Sequence, residues 1–382
     1  MKKFGLGLIG CGGMGRSLAT NANQIKQVKA RPQLVSETTL TWGSSTGPTE
    51  SVNPSLDREG ADAEYSDDEY DVGVVAVSDL DISLAKSLAS DISAEFTDDY
   101  LDLLVDDRID AILIATPPFL HADIAVEAAA AGKHIFTEKP MATTLIDCDR
   151  MIRSAESHDV QLGVGLVCRF HAVHSTIRQL VHSGTYGRPI SMKVHRTGGP
   201  WAGEPSHWRM KRDQCGGFLM EVNAHEIDFM RWTLGIGTED RVSSVHASGG
   251  IYLQPHTDYA DLVFLTMQFT NGAIGFLHAG QVSALGGYGG SVDCEKGSLH
   301  FPTIWGENSQ IQIHTFDGQT ETIPATEIAV DSPVKAEIQA FIEAILQGQL
   351  PPVTGTDGRA ATEIALAAYQ SIRTGQVVNL PL

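Results

Sequence analysis

The chain has 382 residues, 42% of them hydrophobic, with 47 acidic against 27 basic side chains and a formal net charge of −20. That length and apolar content predict about two domains with substantial cores, while the negative charge and lack of a basic block disfavour nonspecific binding to nucleic acid or anionic membranes. Five scattered cysteines, Cys11, Cys148, Cys168, Cys215 and Cys294, form no C-x-x-C pair, which argues against a disulfide framework or thiolate zinc site and makes a reducing cytoplasm the expected compartment. No apolar run is long enough to cross a bilayer. The short apolar stretch after Met1-Lys2-Lys3 runs into glycines without a cleavage site, so it reads as a first strand rather than a signal peptide.

That strand, Phe4-Gly5-Leu6-Gly7-Leu8-Ile9, opens the turn Gly10-Cys11-Gly12-Gly13-Met14-Gly15, and a helix is expected over 15–28. Residues 36–71 hold ten acids and one arginine among Ser, Thr and Gly, which reads as a solvated surface insertion rather than a cation or partner site. A strand over 72–77 ends in Ser78-Asp79, and 82–89 has helical spacing. A buried-strand run over 109–115 ends in Thr116-Pro117-Pro118; 122–131 is an alanine-rich helix; 134–136 is a strand leading into Glu138-Lys139-Pro140. Repeated βα units predict a doubly wound parallel sheet, whose ligands sit at the strands' carboxyl ends, where Gly10, Asp79, Thr116 and Lys139 emerge. Beyond Thr143 the pattern changes to one or two helices and then strands over 190–195, 242–252, 262–269 and 273–278, predicting an antiparallel sheet. Asn271-Gly272 and Asp317-Gly318 predict type I′ hairpins, and helices are expected over 333–347 and 357–374. The expected domains are 1–140, for the dinucleotide, and 141–382, for substrate and oligomerisation.

The three glycines of Gly10-x-Gly12-x-x-Gly15 serve different ends, namely a tight turn, close backbone approach to a pyrophosphate, and close packing of helix on strand. Asp79, at the second strand's end, is the expected acceptor for the adenosine ribose and would repel a 2′-phosphate, favouring NAD. Glu37 is nearer the usual spacing of about 20 residues, but it follows a poorer strand behind Pro32.

These motifs, together with Ile112-Leu113-Ile114-Ala115-Thr116-Pro117-Pro118, His121 and the segment Gly216-Gly217-Phe218-Leu219-Met220-Glu221-Val222-Asn223-Ala224-His225-Glu226-Ile227-Asp228, resemble the glucose-fructose oxidoreductase and inositol 2-dehydrogenase family, Gfo/Idh/MocA. The resemblance implies an N-terminal Rossmann domain and a C-terminal α/β domain. The latter's large, open, mainly antiparallel sheet covers the active site and often forms the interface of a homodimer or homotetramer. It implies hydride transfer between NAD and a carbohydrate or polyol. Its cofactor set maps onto Gly10, Gly12, Gly13, Met14, Gly15, Asp79, Thr116, Pro117, His121, Glu138 and Lys139. Lys139, His225 and Glu221 are the catalytic candidates; Arg169, His171, Trp208 and Arg209 join them as substrate contacts.

Oxidising a secondary alcohol needs a base and a donor to hold the oxygen, roles that suit His225 and Lys139. Glu221 stands where the family commonly has Asp, and Asn223 replaces a glycine. The spacing of four places Glu221 and His225 on one helix face, where the carboxylate can orient the imidazole. The same pair, with His171, His174, His195 and His207, could also share a divalent metal, but the metal-free reading is preferred. A sugar or cyclitol dehydrogenase is the leading function. The alternatives are an NAD-retaining redox-assisted glycosidase or lyase, and a noncatalytic dinucleotide sensor.

Overall fold

The computed structural model describes residues 2–29, 69–237, 240–304, 308–328 and 332–382. Glu37 and positions 36–68 of the acidic stretch lie outside the described residues. The first sheet contains β1 (Lys2–Ile9), β2 (Val28–Lys29), β3 (Glu69–Ser78), β4 (Glu95–Thr97), β5 (Ala111–Ile114), β6 (His134–Glu138) and β7 (Leu162–Gly165), in the order β2-β3-β1-β5-β6-β7 with β4 also on β3. Every pairing is parallel except β2 with β3. Its central strands are continuous apolar runs because helices cover both faces. In β5, Ala111 and Leu113 enter the core under the Gly13–Ala22 and Ile82–Ile92 helices, while Ile112 and Ile114 enter the core under His121–Ala130 and Leu145–Ser157.

The first helix ends at Ala22, short of the expected 28. Asn23 donates its amide to the Ile92 carbonyl and accepts from the Val74 amide, turning the chain so that Val28–Lys29 pairs with β3. Glu69, Tyr70 and Asp71, expected at the end of the insertion, already belong to β3. β7 and the Pro333–Leu346 helix, both beyond residue 140, complete the first sheet and its core, so a cut at 140 divides the sequence but not the packing.

The second sheet adds β8 (Pro189–Thr197), β9 (Val242–Gly250), β10 (Leu262–Phe269), β11 (Ile274–Gly280), β12 (Gly287–Cys294), β13 (Gly297–Phe301), β14 (Gln310–Thr315), β15 (Thr320–Pro324) and β16 (Val378–Asn379), in the order β15-β14-β13-β12-β8-β11-β10-β9-β16. It is antiparallel apart from a parallel β8–β11 pair. β12 does not read as a strand because Gly287, Gly289 and Gly290 weaken strand propensity. Two of them are required: a Cβ at Gly290 would lie 2.1 Å from the Lys193 carbonyl oxygen, and one at Gly289 2.5 Å from that of Pro302. Both predicted hairpins form, but not with type I′ turns. Among described non-glycine residues only Ser93 and Asp159 have positive φ, so Asn271 and Asp317 keep ordinary backbone and Gly272 and Gly318 alone turn left-handed. The Gly272 amide donates to Phe269 and that of Gly318 to Thr315, giving a type I turn closed by a left-handed glycine.

One face of this sheet is sealed by the Ala172–His182, Ala224–Leu234 and Gly355–Thr374 helices. Gly355–Thr374 also touches the first sheet's side: a Cβ at Gly358 would meet Met141 and Val164 at 3.0 Å, and Gly355 lies against Leu162. Phe341, on the preceding helix, meets Phe136 edge-to-face at 5.6 Å and is 2% exposed. Phe341→Ala should therefore cost about 3–5 kcal/mol of unfolding free energy. In urea denaturation, a loss under about 1 kcal/mol would show that this helix does not stabilise the first sheet.

Candidate active site

The glycines of the first turn differ in their surroundings as the motif requires. Gly10 has φ 96°, and a Cβ there would lie 2.7 Å from the Ala115 carbonyl; one on Gly15 would lie 1.8 Å from the Gly10 oxygen. Around Gly12 and Gly13, in contrast, a Cβ would meet nothing within 4 Å, so their backbone is open at the N-terminus of the Gly13–Ala22 helix, beside half-exposed Met14. Asp79 accepts from the Cys11 amide at 2.7 Å and the Asp81 amide at 2.9 Å, which holds its carboxylate against this turn. An open amide cradle beside a fixed acid fits the pyrophosphate and adenosine ribose of NAD.

Thr116 and Pro117 follow β5 at the same edge. His121 does not reach that surface, which corrects the expectation of cofactor contact. It is fully buried, with one ring nitrogen 2.8 Å from the Thr116 carbonyl and the other 3.1 Å from that of Pro140, and burial lowers its pKa. It positions the two loops against each other.

Across the carboxyl edge of β6, the Lys139 ammonium donates to the Glu221 backbone oxygen at 2.5 Å and lies 3.9 Å from the Glu221 carboxylate. Lys139, Arg196, Trp201, Arg209, Glu221, Val222 and His225 line a cleft of about 250 Å³. His225 is buried and its Nδ1 has no partner among the described residues. Burial first, then the charges of Lys139 and Arg196, push its pKa well below the ordinary value, leaving a neutral imidazole that can accept a proton. Glu221 and His225 are not on one continuous helix: Phe218–Glu221 is a single turn, and Ala224–Leu234 begins after a break at Val222–Asn223. The Glu221 carboxylate consequently turns to Arg209 Nε, at 2.9 Å, and does not orient His225.

Of the expected substrate contacts, Arg209 lines the cleft. Trp208 packs beneath it, its ring 4.9 Å from the guanidinium, and His171 lies beside the cleft with burial and Arg196 lowering its pKa to about 4. Arg169 is elsewhere, because Asp228 takes two of its nitrogens at 2.6 and 2.7 Å, Asp357 shares one at 2.8 Å, and the Pro352 carbonyl takes the third. Sequence reading missed Arg196, which strand alternation places on the inner face of β8 with Met192 and Val194, opposite His195. His207 is exposed against Trp208, and His174 is buried on the Tyr288 hydroxyl at 2.7 Å. Among the described residues no three His, Cys, Asp or Glu side chains are grouped as metal ligands.

Behind Lys139 sits a buried carboxyl pair. One Glu138 oxygen accepts from the Lys139 amide at 3.1 Å; among the described residues the other has no partner, and neither oxygen of Glu337 has one. Burial pushes the Glu138 pKa up to about 7, and burial together with Glu138 pushes that of Glu337 well above the carboxylate range, so the pair holds at least one proton at neutral pH.

Two family models match the chain: "Oxidoreductase family, NAD-binding Rossmann fold" over residues 4–166 and "GFO/IDH/MocA C-terminal domain" over 174–300. An uncharacterized oxidoreductase, YrbE, of Bacillus subtilis (strain 168) is 33% identical over 319 residues, covering 80% of this chain and 89% of that protein. The scyllo-inositol 2-dehydrogenase (NAD(+)) of the same organism is 28% identical, covering 80% and 88%. Among solved structures, a levoglucosan dehydrogenase in complex with NADH and levoglucosan superposes with a TM-score of 0.78 at 22% identity, covering 100% of each chain. The aldose-aldose oxidoreductase of Caulobacter crescentus, complexed with glycerol, gives 0.79 at 20%, covering 99% and 100%.

A carboxyl whose pKa is raised on folding binds protons more tightly in the native chain. The stability it contributes is present at low pH and is lost as pH rises from the ordinary carboxylate range through about 7. Glu337→Gln should thus melt increasingly above the wild type as pH is raised from about 5 to 8. A melting difference that stays constant across that window would contradict the shared-proton account.

Proposed function

The chain belongs to the Gfo/Idh/MocA family of NAD-binding oxidoreductases, and from that premise we propose that it moves hydride between nicotinamide and a secondary hydroxyl of a sugar, sugar derivative or cyclitol. The observation that carries this is the Lys139 ammonium and the neutral His225 imidazole lining one cleft at the carboxyl edge of the dinucleotide sheet. Relatives named for scyllo-inositol and for 1,5-anhydro-D-fructose support a cyclic polyol as substrate. Cytoplasmic residence belongs to the same reading, since all five cysteines are free and buried.

NAD, when bound, supplies the hydride acceptor. Gly12, Gly13 and the helix behind them hold its pyrophosphate, and Asp79 its adenosine ribose. Lys139 donates to the substrate oxygen and stabilises it as the proton leaves; His225, already neutral in the free site, accepts that proton without prior deprotonation. In the reducing direction the two groups return the proton and hold the carbonyl. Glu221 keeps both cations in place, its backbone oxygen on Lys139 and its carboxylate on Arg209. Trp201 offers an aromatic wall.

The larger Glu221 and the surplus histidines motivate the redox-assisted glycosidase reading, but the Glu221 carboxylate is committed to Arg209 rather than free as an acid. We also infer association into a homodimer or homotetramer through the open face of the second sheet. There Phe264 stacks on His278 at 4.5 Å and on Phe276 at 6.2 Å, with both phenylalanines exposed.

Absorbance of NADH, followed with sugars, cyclitols and aryl glycosides, tests the chemistry. Net NADH with one polyol class is expected; glycoside cleavage without net NADH would favour the glycosidase, and silence in both channels would favour the sensor. Lys139→Ala should lower turnover about 10²–10⁴-fold while leaving NAD affinity nearly unchanged; unaltered turnover would remove Lys139 from the mechanism. Light scattering should give a dimer or tetramer that Phe264→Asp dissociates, and a monomeric wild type would refute the assembly.

A further inference from the structure

The cleft is unusual for a chain carrying a net charge of −20: three of its seven lining residues, Lys139, Arg196 and Arg209, are cations, against one carboxylate, Glu221. Even with Glu226 counted, which lies behind Arg196, three cations face two carboxylates, and because burial pushes the pKa of Glu138 behind Lys139 up to about 7, the cleft keeps an excess of positive charge. A sugar hydroxyl needs no such excess.

Arg196 is a built element rather than a stray surface charge. Its Nη1 donates to the Glu226 carboxylate at 2.9 Å and to the Val222 carbonyl at 3.3 Å, and its guanidinium lies 5.3 Å from the Tyr288 ring centre. Glu226 is itself fully buried and is held from its other oxygen by the Asn223 amide at 2.7 Å. A guanidinium fixed at one nitrogen and stacked on a ring has little rotamer freedom left to lose on binding. Its Nε and Nη2 have no acceptor among the described residues. Arg209 repeats the arrangement: Nε is taken by Glu221 at 2.9 Å, the rings of Trp208 and Trp201 lie at 4.9 and 5.9 Å, and its Nη1 and Nη2 have no acceptor among the described residues. The unpartnered Nδ1 of buried His225 lies in the same cleft.

We propose that the substrate is an anionic polyol, a single sugar or cyclitol frame bearing a carboxylate or phosphate ester, and that Arg196 and Arg209 are the residues that select it. Two fixed guanidinium groups with free N–H donors match a planar or tetrahedral oxyanion, whereas neutral hydroxyls leave their charge uncompensated. A cleft of about 250 Å³ accommodates one ring.

This rests on the hydride-transfer reading and deepens it, so binding and turnover are read separately. Quenching of enzyme-bound NADH fluorescence and kcat/KM with NAD are measured for glucose, glucuronate, gluconate, glucose 6-phosphate and myo-inositol. At least one anionic compound should bind and react at least about tenfold better than its neutral counterpart, the yield of one charge-assisted hydrogen bond. Glucuronate against glucose 6-phosphate separates carboxylate from phosphate. Arg209→Met, at a half-exposed side chain, and Arg196→Lys, which retains a partner for buried Glu226, should each shrink that preference, raising KM for the anion more than for glucose. Equal or better binding of the neutral compounds, or no binding of any anion, overturns the proposal. Selective anion binding without NADH formation supports the anionic site while refuting hydride transfer; NADH formation from neutral polyols alone does the reverse.

Discussion

Desolvation where the second sheet's helices close over the carboxyl edge of the first sheet is the constraint on which the site depends. Charges there lose water and must find protein partners. Lys139 takes a carbonyl from the Phe218–Glu221 turn, Arg196 takes Glu226, and Arg169 takes Asp228 and Asp357. The Gly355–Thr374 helix can approach this seam because Gly355 and Gly358 lack side chains, and its capping residues Thr354 and Asp357 close its first turn while Asp357 also receives Arg169. One helix start thus serves packing and charge neutralisation together.

The same dryness sets the chemistry. It keeps His225 neutral, with Lys139 and Arg196 pushing in the same direction, so a proton acceptor and a cation coexist in one small cleft without like-charge repulsion. Behind Lys139 it has the opposite consequence for acids: burial pushes the pKa of both Glu138 and Glu337 up, and the charge of Glu138 raises that of Glu337 further. Only the groups with an unspent donor or acceptor toward the cleft remain available to a substrate, which separates Arg196 and Arg209 from Arg169 although all three are arginines near the seam.

His121 illustrates how a motif residue can matter without touching a ligand. Its ring lies between the carbonyls of Thr116 and Pro140, the loops that end β5 and β6, so it sets their separation and with it the placement of Lys139. Glu221 plays a comparable part through its backbone as much as its carboxylate.

The amino-acid sequence by itself determined what depends on local spacing. The glycine turn, the alternation of apolar strands and helices in the first sheet, Asp79 at a strand end and Lys139 after β6 were all legible, because periodicity and turn chemistry act over a few residues. Tertiary structure decided what depends on partners distant in sequence. The type I′ expectation for Asn271 failed because a turn's conformation follows the register it must close. β12 was hidden because its glycines answer to the carbonyls of Lys193 and Pro302. Arg169 was drawn away from the cleft by Asp357, 188 residues along the chain, and Glu221 from His225 by a helix break and by Arg209. Arg196 carried no motif at all; only its position on the inner face of β8, with buried Glu226 behind it, gives it a role, since desolvation is a property of the assembled molecule and not of any window of its sequence.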